Sequence, residues 1–150
     1  MSMLNQCLYT LLTNLINMRV FIVDDSPSIV NMLSHYFERR GDAIAGYAYD
    51  VNTAIEKSKS VDFDLLIMDY KLNADITGYD LAQKIQKIKK NVKIIMITSD
   101  DTFSCDDFPI VRKPFNWSDF ESTLTAFGFE KSGVEKMEKN FDDGYEEAFL

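Results

Sequence analysis

The sequence is poor in the residues that build disulfide frameworks, zinc sites and irregular coil. It has 2 cysteines in 150 residues, and the separation of Cys7 and Cys105 matches no zinc-binding spacing. We therefore expect reduced thiols in a cytoplasm, with neither a disulfide scaffold nor a zinc centre. With 6 glycines and 3 prolines, the composition excludes a fibrous chain and is typical of an ordinary folded domain.

Basic residues are outnumbered by acidic ones. The chain has 16 Lys and Arg against 24 Asp and Glu, which gives a formal net charge of -8 and a pI near 4.6. Nucleic-acid binding depends on clustered cations, so this balance argues against a nucleic-acid partner. The apolar runs are also well short of the roughly 18 to 20 residues that a membrane span requires, and no transmembrane helix is expected.

The length predicts a single domain with two short extensions. We expect an amphipathic N-terminal helix over 1–17, a central domain over 18–128 and an acidic C-terminal tail over 129–150. The tail carries seven acids and three lysines, and both disorder and partner docking remain open for it. The apolar stripe of the N-terminal helix comprises Leu4, Leu8, Leu11, Leu12, Leu15 and Ile16.

The central region alternates short apolar runs with segments of helical periodicity. This alternation predicts an α/β domain with a parallel sheet covered by crossover helices. Ser26 and Ser118 are expected to cap the first and last of these helices, and Gly41 is expected to end the first. The predicted strands are Val20–Val23, Ala43–Tyr49, Leu65–Met68, Lys93–Thr98 and a run beginning at Ile110. The predicted helices run from Pro27 to Gly41, Asn52 to Lys59, Gly78 to Lys89 and Trp117 to Phe127, with Ile88 among the core positions.

Polar residues end four of the five predicted strands. They are Asp24 and Asp25, Asp69, Thr98 and Lys113, which follow the first, third, fourth and fifth strands respectively. Ligand sites of open parallel sheets lie beyond the carboxyl ends of the strands, so these side chains should converge. Clustered carboxylates repel one another, and proteins usually offset this repulsion by binding a hard divalent cation. We therefore expect a Mg²⁺ ion to bind these side chains.

Such a cluster supports phosphoryl chemistry. Asp69 is the best placed nucleophile toward phosphorus, because a metal would neutralise the developing charge. Lys113 and Thr98 would stabilise phosphoryl oxygens that the metal does not contact. Taken singly, each residue has an ordinary interpretation as a helix cap, strand end or turn. Their joint placement favours a functional interpretation.

Four segments resemble the receiver domains of two-component response regulators. They are VFIVDD, LLIMD, IIMITS and RKPF, and the resemblance covers residues 18 to about 128. It implies a flavodoxin-like, doubly wound, five-stranded parallel sheet with strand order 2-1-3-4-5.

The resemblance also implies a role for each site residue. Asp24 and Asp25 would bind Mg²⁺ together with the phosphoacceptor Asp69, and the backbone carbonyl of Lys71 would complete the metal shell. Thr98 would be the switch residue that turns toward the phosphate, and Lys113 would pair with the phosphate. The donor would be a sensor histidine kinase or a phosphotransfer protein.

Two departures from the family pattern concern the output surface. Only residues 99–112 separate Thr98 from Lys113, which is too short for a full helix with its connections, so the fourth helix should be truncated or absent. The family tends to place an aromatic residue three positions before its lysine, where this chain has Ile110. Movement of Thr98 is therefore better supported than a coupled switch between a threonine and an aromatic ring.

These features favour a stand-alone receiver that signals by binding an unknown downstream protein. We expect no enzyme activity beyond self-directed phosphotransfer and autodephosphorylation. The alternative is a receiver-like adaptor that binds its partner regardless of phosphorylation. A phosphatase would need a second acid or base just beyond Asp69, and the sequence has none there. A nucleotide or flavin domain would need a glycine-rich loop after the first strand, which the sequence also lacks. The apolar stripe of the N-terminal helix suggests a possible homodimer.

Overall fold

The computed structural model describes residues 2–13 and 18–129. Helix α1, Met3–Thr13, falls within the predicted N-terminal helix, and its Leu4 and Leu8 are exposed. The predicted apolar positions Leu15 and Ile16 lie outside the described residues. The predicted acidic tail beyond Phe129 also lies outside the described residues.

The central domain is a five-stranded sheet whose strands all run parallel. The strand order is β2-β1-β3-β4-β5, which confirms the predicted doubly wound fold. The strands are β1 Arg19–Val23, β2 Ala43–Ala48, β3 Leu65–Asp69, β4 Lys93–Thr98 and β5 Ile110–Arg112. The covering helices are α2 Pro27–Arg40, α3 Val51–Ser60, α4 Gly78–Ile88 and α5 Trp117–Ala126. Among the described helices, none is long and apolar enough to cross a membrane.

The central residues of the three inner strands are apolar because both faces of these strands are covered. On β1, Phe21 and Val23 pack in one core cluster with residues of α3 and α4. Val20 and Ile22 alternate with them and join a second cluster with residues of α2 and α5. Continuous apolar runs are typical of such doubly covered parallel strands. The carboxyl ends of β1, β3 and β4, where the candidate site forms, are thus held in place by the two core clusters on opposite faces of the sheet.

The helix ends confirm two predicted positions, Gly41 and Ser26, and correct two others. Gly41 ends α2 in the left-handed conformation, as predicted, with φ of 90°. Ser26 occupies the N-cap of α2, but its hydroxyl makes no capping hydrogen bond. The predicted Ser118 cap is wrong, because the Asn116 side chain caps α5 by accepting hydrogen bonds from the amides that follow it. Ile88 is 39% exposed rather than buried, because it lies in the last turn of α4.

Between β4 and β5 the chain forms turns and bends over residues 99–109, all of them described, and no helix is present there. This confirms the prediction of a truncated or absent fourth helix. We call this stretch the β4–β5 segment.

The β4–β5 segment is fastened to the domain at several points. Within the segment, the Asp100 carboxylate accepts hydrogen bonds from the amide and the hydroxyl of Thr102 at 2.9 and 2.6 Å, and it also pairs with Lys71 outside the segment. The Arg112 guanidinium donates to the carbonyl oxygens of Asp100 and Phe103. The Phe103 ring stacks on the Tyr70 ring with centroids 3.8 Å apart. Since Tyr70 directly follows Asp69, the segment packs beside the candidate site.

Candidate functional site

Three carboxylates meet at the carboxyl edge of the sheet. Asp24 and Asp25 follow β1, and Asp69 is the last residue of β3; one oxygen from each lies within 4.8 Å of the others. Asp24 is fully buried and Asp69 is 5% exposed, whereas Asp25 is partly exposed. The neighbouring strands β1 and β3 position the first and third of these residues, as the strand-end pattern predicts. The oxygen donor set and its spacing fit a hard divalent cation.

Lys113 joins two of these carboxylates. Its Nζ lies 2.7 Å from Asp24 Oδ2 and 3.2 Å from Asp69 Oδ1. The Lys113 amide donates to the Thr98 carbonyl at 2.8 Å, which fixes the backbone just after β5. Burial alone lowers the pKa of Lys113, but hydrogen bonds and charges from Asp24 and Asp69 outweigh it, so the pKa is raised. Lys113 is therefore a fixed cation in the site.

The Asp69 carboxyl resists ionisation. Burial, followed by repulsion from Asp24, raises its pKa from 3.8 to about 6, although Lys113 acts in the opposite direction. A single lysine thus leaves the carboxylates of this site incompletely neutralised. An added cation would relieve the remaining repulsion, and the electrostatics therefore agree with the spacing of the oxygen donors.

Thr98 lies at the same edge, at the end of β4. It is buried, and its Oγ1 accepts a hydrogen bond from the Asp100 amide at 3.0 Å. The hydroxyl is therefore engaged with the β4–β5 segment. The side chain of Lys71 is exposed and pairs with Asp100 at 3.2 Å. The role predicted for the Lys71 carbonyl stays a prediction.

Two residues that the sequence reasoning did not assign to the site support its geometry. The Asn73 side-chain amide donates to Asp25 Oδ2 at 2.9 Å. Gly78 begins α4, and its amide donates to the Tyr70 carbonyl at 2.7 Å. A Cβ at position 78 would lie 1.7 Å from the Asp69 carbonyl oxygen, so the backbone passes where no side chain fits. In the sequence, the only indication that this backbone passes close to Asp69 is the glycine at the first position of a predicted helix.

Comparison with known proteins agrees with this geometry. The sequence profile described as "Response regulator receiver domain" matches residues 20–123. The chain belongs to this family. Receiver domains are signalling domains of two-component systems, and members of the family interact with histidine kinases or phosphotransfer proteins.

Curated relatives of this receiver include sensory transduction and chemotaxis proteins. It is 36% identical over 128 residues to the sensory transduction protein LytR of Staphylococcus haemolyticus, covering 81% of this chain and 49% of LytR. It is 35% identical over 81 residues to the chemotaxis protein CheY of Thermotoga maritima, covering 54% of this chain and 67% of CheY. The receiver thus spans about half the length of the LytR relative.

Solved structures of similar receivers share the fold. The receiver domain of the response regulator PhyR from Erythrobacter litoralis is 26% identical, with a TM-score of 0.64, and covers 77% of this chain and 93% of its own. The response regulator TrrA from Thermotoga maritima is 29% identical, with the same TM-score of 0.64, and covers 72% of this chain and 96% of its own. The TrrA structure was solved in complex with Mg²⁺ and BeF.

Proposed function

We propose that this receiver accepts a phosphoryl group on Asp69 in a Mg²⁺-dependent reaction and signals by binding another protein. One observation carries the proposal. The buried Asp69 carboxylate shares its pocket with Asp24, Asp25 and the ammonium group of Lys113. This arrangement supplies a nucleophile, a set of oxygen donors and a fixed cation within one edge of the sheet.

Asp24, Asp25 and one oxygen of Asp69 would hold the Mg²⁺ ion, with the Lys71 carbonyl as the further ligand that the family resemblance implies. When bound, such an ion neutralises charge on the phosphoryl oxygens and thereby lowers the barrier to transfer. The complex of TrrA with Mg²⁺ and BeF supports this assignment by similarity. Asn73 would hold Asp25 in place, since it donates to the second carboxylate at 2.9 Å.

In the proposed reaction, a carboxylate oxygen of Asp69 attacks phosphorus. A new oxygen–phosphorus bond forms as the bond from phosphorus to the donor breaks, and the donor leaves with that electron pair. A phosphohistidine of a sensor kinase or phosphotransfer protein would be the donor. Lys113 would then contact a phosphoryl oxygen, because its Nζ already lies 3.2 Å from the carboxylate.

Output would pass through Thr98 and the β4–β5 segment. The Thr98 hydroxyl accepts from the Asp100 amide, so turning it toward a phosphoryl group on Asp69 breaks a hydrogen bond at the start of that segment. A specific observation also favours the adaptor alternative. Arg112 and Tyr70 fasten the segment independently of Thr98, which favours a shape that persists without phosphorylation.

The test of the phosphoacceptor is incorporation of phosphate measured by intact mass. The protein is incubated with Mg²⁺ and acetyl phosphate, and a mass increase of one phosphoryl group is expected. Asp69→Asn should abolish the increase, and a chelator should do the same. Asp62→Asn is the matched control, because its carboxylate is exposed and pairs only with Lys89 in the described ion pairs. Undiminished labelling of Asp69→Asn would contradict the proposal.

Amide exchange separates the switch from the adaptor. Faster exchange over 99–112 in the labelled protein supports the switch, whereas labelling without any change there supports a phosphorylation-independent adaptor. The expectations of a stand-alone chain, a homodimer and a cytoplasmic location stay predictions. The downstream partner is a protein of unknown identity.

A further inference from the structure

A groove with a volume of about 330 Å³ lies between α2 and α5. We call it the α2–α5 groove. It shares none of its lining residues with the Asp69 site. It is lined by Met32, His35, Tyr36, Arg39, Arg40, Trp117 and Glu121.

The groove combines an aromatic wall with a basic rim. The Trp117 ring stacks on the Tyr36 ring with centroids 4.3 Å apart, and Met32 is 46% exposed. Both His35 and Arg39 are exposed on the same face of α2. Within the described residues no ion pair includes Arg39, so its charge is free to meet an incoming anion. Such a surface suits a segment that carries aromatic and acidic side chains together.

Arg40 connects this groove to the point where the described chain ends. The guanidinium is buried and bonds to Asp42, to Glu121 at 2.9 Å and to the Phe129 carbonyl oxygen at 3.0 Å. The last contact anchors the backbone at a residue that lines the groove. The chain beyond Phe129 therefore starts beside the groove, tethered by a buried side chain.

We propose that residues 130–150 dock in the α2–α5 groove of the same molecule. This segment carries seven acids against three lysines, which complements the exposed guanidinium of Arg39. It also carries apolar side chains suited to the wall formed by Tyr36 and Trp117. Those apolar residues are Val134, Met137, Phe141, Tyr145 and Phe149.

The length of the segment is sufficient. Helix α2 has 14 residues and is therefore about 21 Å long, since an α-helix rises 1.5 Å per residue. An extended chain covers that distance in roughly seven residues. Residues 130–150 thus reach along the whole groove, whether they bind in an extended or a helical form.

A second groove adjoins the end of α5 and is the competing place for the segment. It has a volume of about 420 Å³, and its lining includes Lys90, Lys93, Asp107 and Phe127. Each groove is lined by one carboxylate, but Glu121 in the α2–α5 groove is paired with Arg40, whereas no described ion pair includes Asp107 in the second groove. The lining of the second groove also contains no stacked aromatic pair of the kind that Tyr36 and Trp117 form. Arg40 moreover holds the Phe129 carbonyl at the α2–α5 groove. These contacts favour the first groove.

Docking would make the groove a regulated surface. A tethered segment has an effective concentration in the millimolar range, so a protein that uses this groove must displace residues 130–150 first. The proposal does not depend on phosphorylation of Asp69. Its test is therefore independent of the proposed function.

Trp117 is the single tryptophan of the sequence and reports directly on the groove. Acrylamide quenching of its fluorescence is measured on the full chain, because this uncharged quencher is insensitive to charge reversal. Arg39→Glu should increase the quenching constant about twofold, since docking covers the part of the ring that is otherwise exposed. The paired substitution Phe141→Ser and Tyr145→Ser should have the same effect. Lys93→Glu, the same charge reversal in the second groove, should change nothing.

Combining Arg39→Glu with the paired tail substitutions completes a double-mutant cycle. The combined effect should be no larger than either alone, because both changes release the same segment. Additive effects, no effect, or a response only to Lys93→Glu would overturn the proposal. Protection of Trp117 that grows with protein concentration would overturn it too, since a second copy would then be the occupant. Circular dichroism spectra confirm that each variant is folded.

Discussion

Removing the charge of Asp69 should stabilise the metal-free protein. The pKa of this carboxyl is raised from 3.8 to about 6, and each pKa unit corresponds to 1.36 kcal/mol, so ionisation costs the folded state about 3 kcal/mol. This cost is fully present above the folded pKa and disappears below the ordinary value. Asp69→Asn abolishes the cost but also weakens the contact with Lys113. We therefore expect the free energy of unfolding to rise by about 1 to 3 kcal/mol near neutral pH.

The assay is urea unfolding followed by far-ultraviolet circular dichroism in the presence of a chelator. At about pH 7.5 the full gain should appear, and at about pH 5 it should fall to roughly half, because Asp69 is then largely protonated in the folded protein. Excess Mg²⁺ should shrink the gain further, since the ion binds and stabilises the folded wild type. These three conditions test the charge, its titration and its proposed ligand separately.

Asp62→Asn is the control for the loss of a carboxylate. Its side chain is 80% exposed, so the substitution should change the free energy of unfolding by less than about 0.5 kcal/mol. The reasoning fails if Asp69→Asn is no more stable than the wild type without metal at about pH 7.5. It also fails if the gain is the same at both pH values.

Three further substitutions test the surroundings of the site. Gly78→Ala should cost about 1 to 3 kcal/mol in urea unfolding and slow phosphorylation, because the new Cβ displaces the backbone of Asp69. Arg40→Met should cost about 3 to 5 kcal/mol, since it leaves the buried Asp42 carboxylate without its partner. Its exposed neighbour Arg39→Met should cost no more than about 1 kcal/mol, and equal effects would contradict this account. Phe103→Ala should speed amide exchange in the β4–β5 segment without abolishing labelling of Asp69, and unchanged exchange would show that the stacked ring does not hold the segment.

The fold was predictable because strand and helix signals agree along the central region. The apolar runs ending in Asp24 and Asp69 are continuous, as expected for strands covered on both faces. Parallel strands bring their carboxyl ends to one edge, so spacing alone placed these residues near one another. The same reasoning placed Thr98 and Lys113 at that edge. Nothing in it required knowledge of how the side chains pack.

The remaining features depend on long-range geometry that periodicity does not encode. Asn116 and Ser118 are both good capping residues, and only the path of the chain after β5 decides between them. Ile88 continues the apolar stripe of α4 but lies in the last turn of the helix. The contacts of Asn73 with Asp25, and of Gly78 with the Asp69 backbone, join a loop and a helix start to distant strand ends. A sequence pattern gives no measure of such approaches.

The β4–β5 segment has a consequence for signalling fidelity. A protein that binds the fourth helix of other receivers would meet a different surface on this one. Between β4 and β5 the chain forms turns and bends that Arg112 and Phe103 hold in place, and it has no helix there. If this receiver signals as proposed, we expect little cross-talk with such regulators, because the helix that they bind is absent between β4 and β5. We therefore expect a downstream protein of this receiver to recognise the turns and aspartates of the β4–β5 segment instead of a helix.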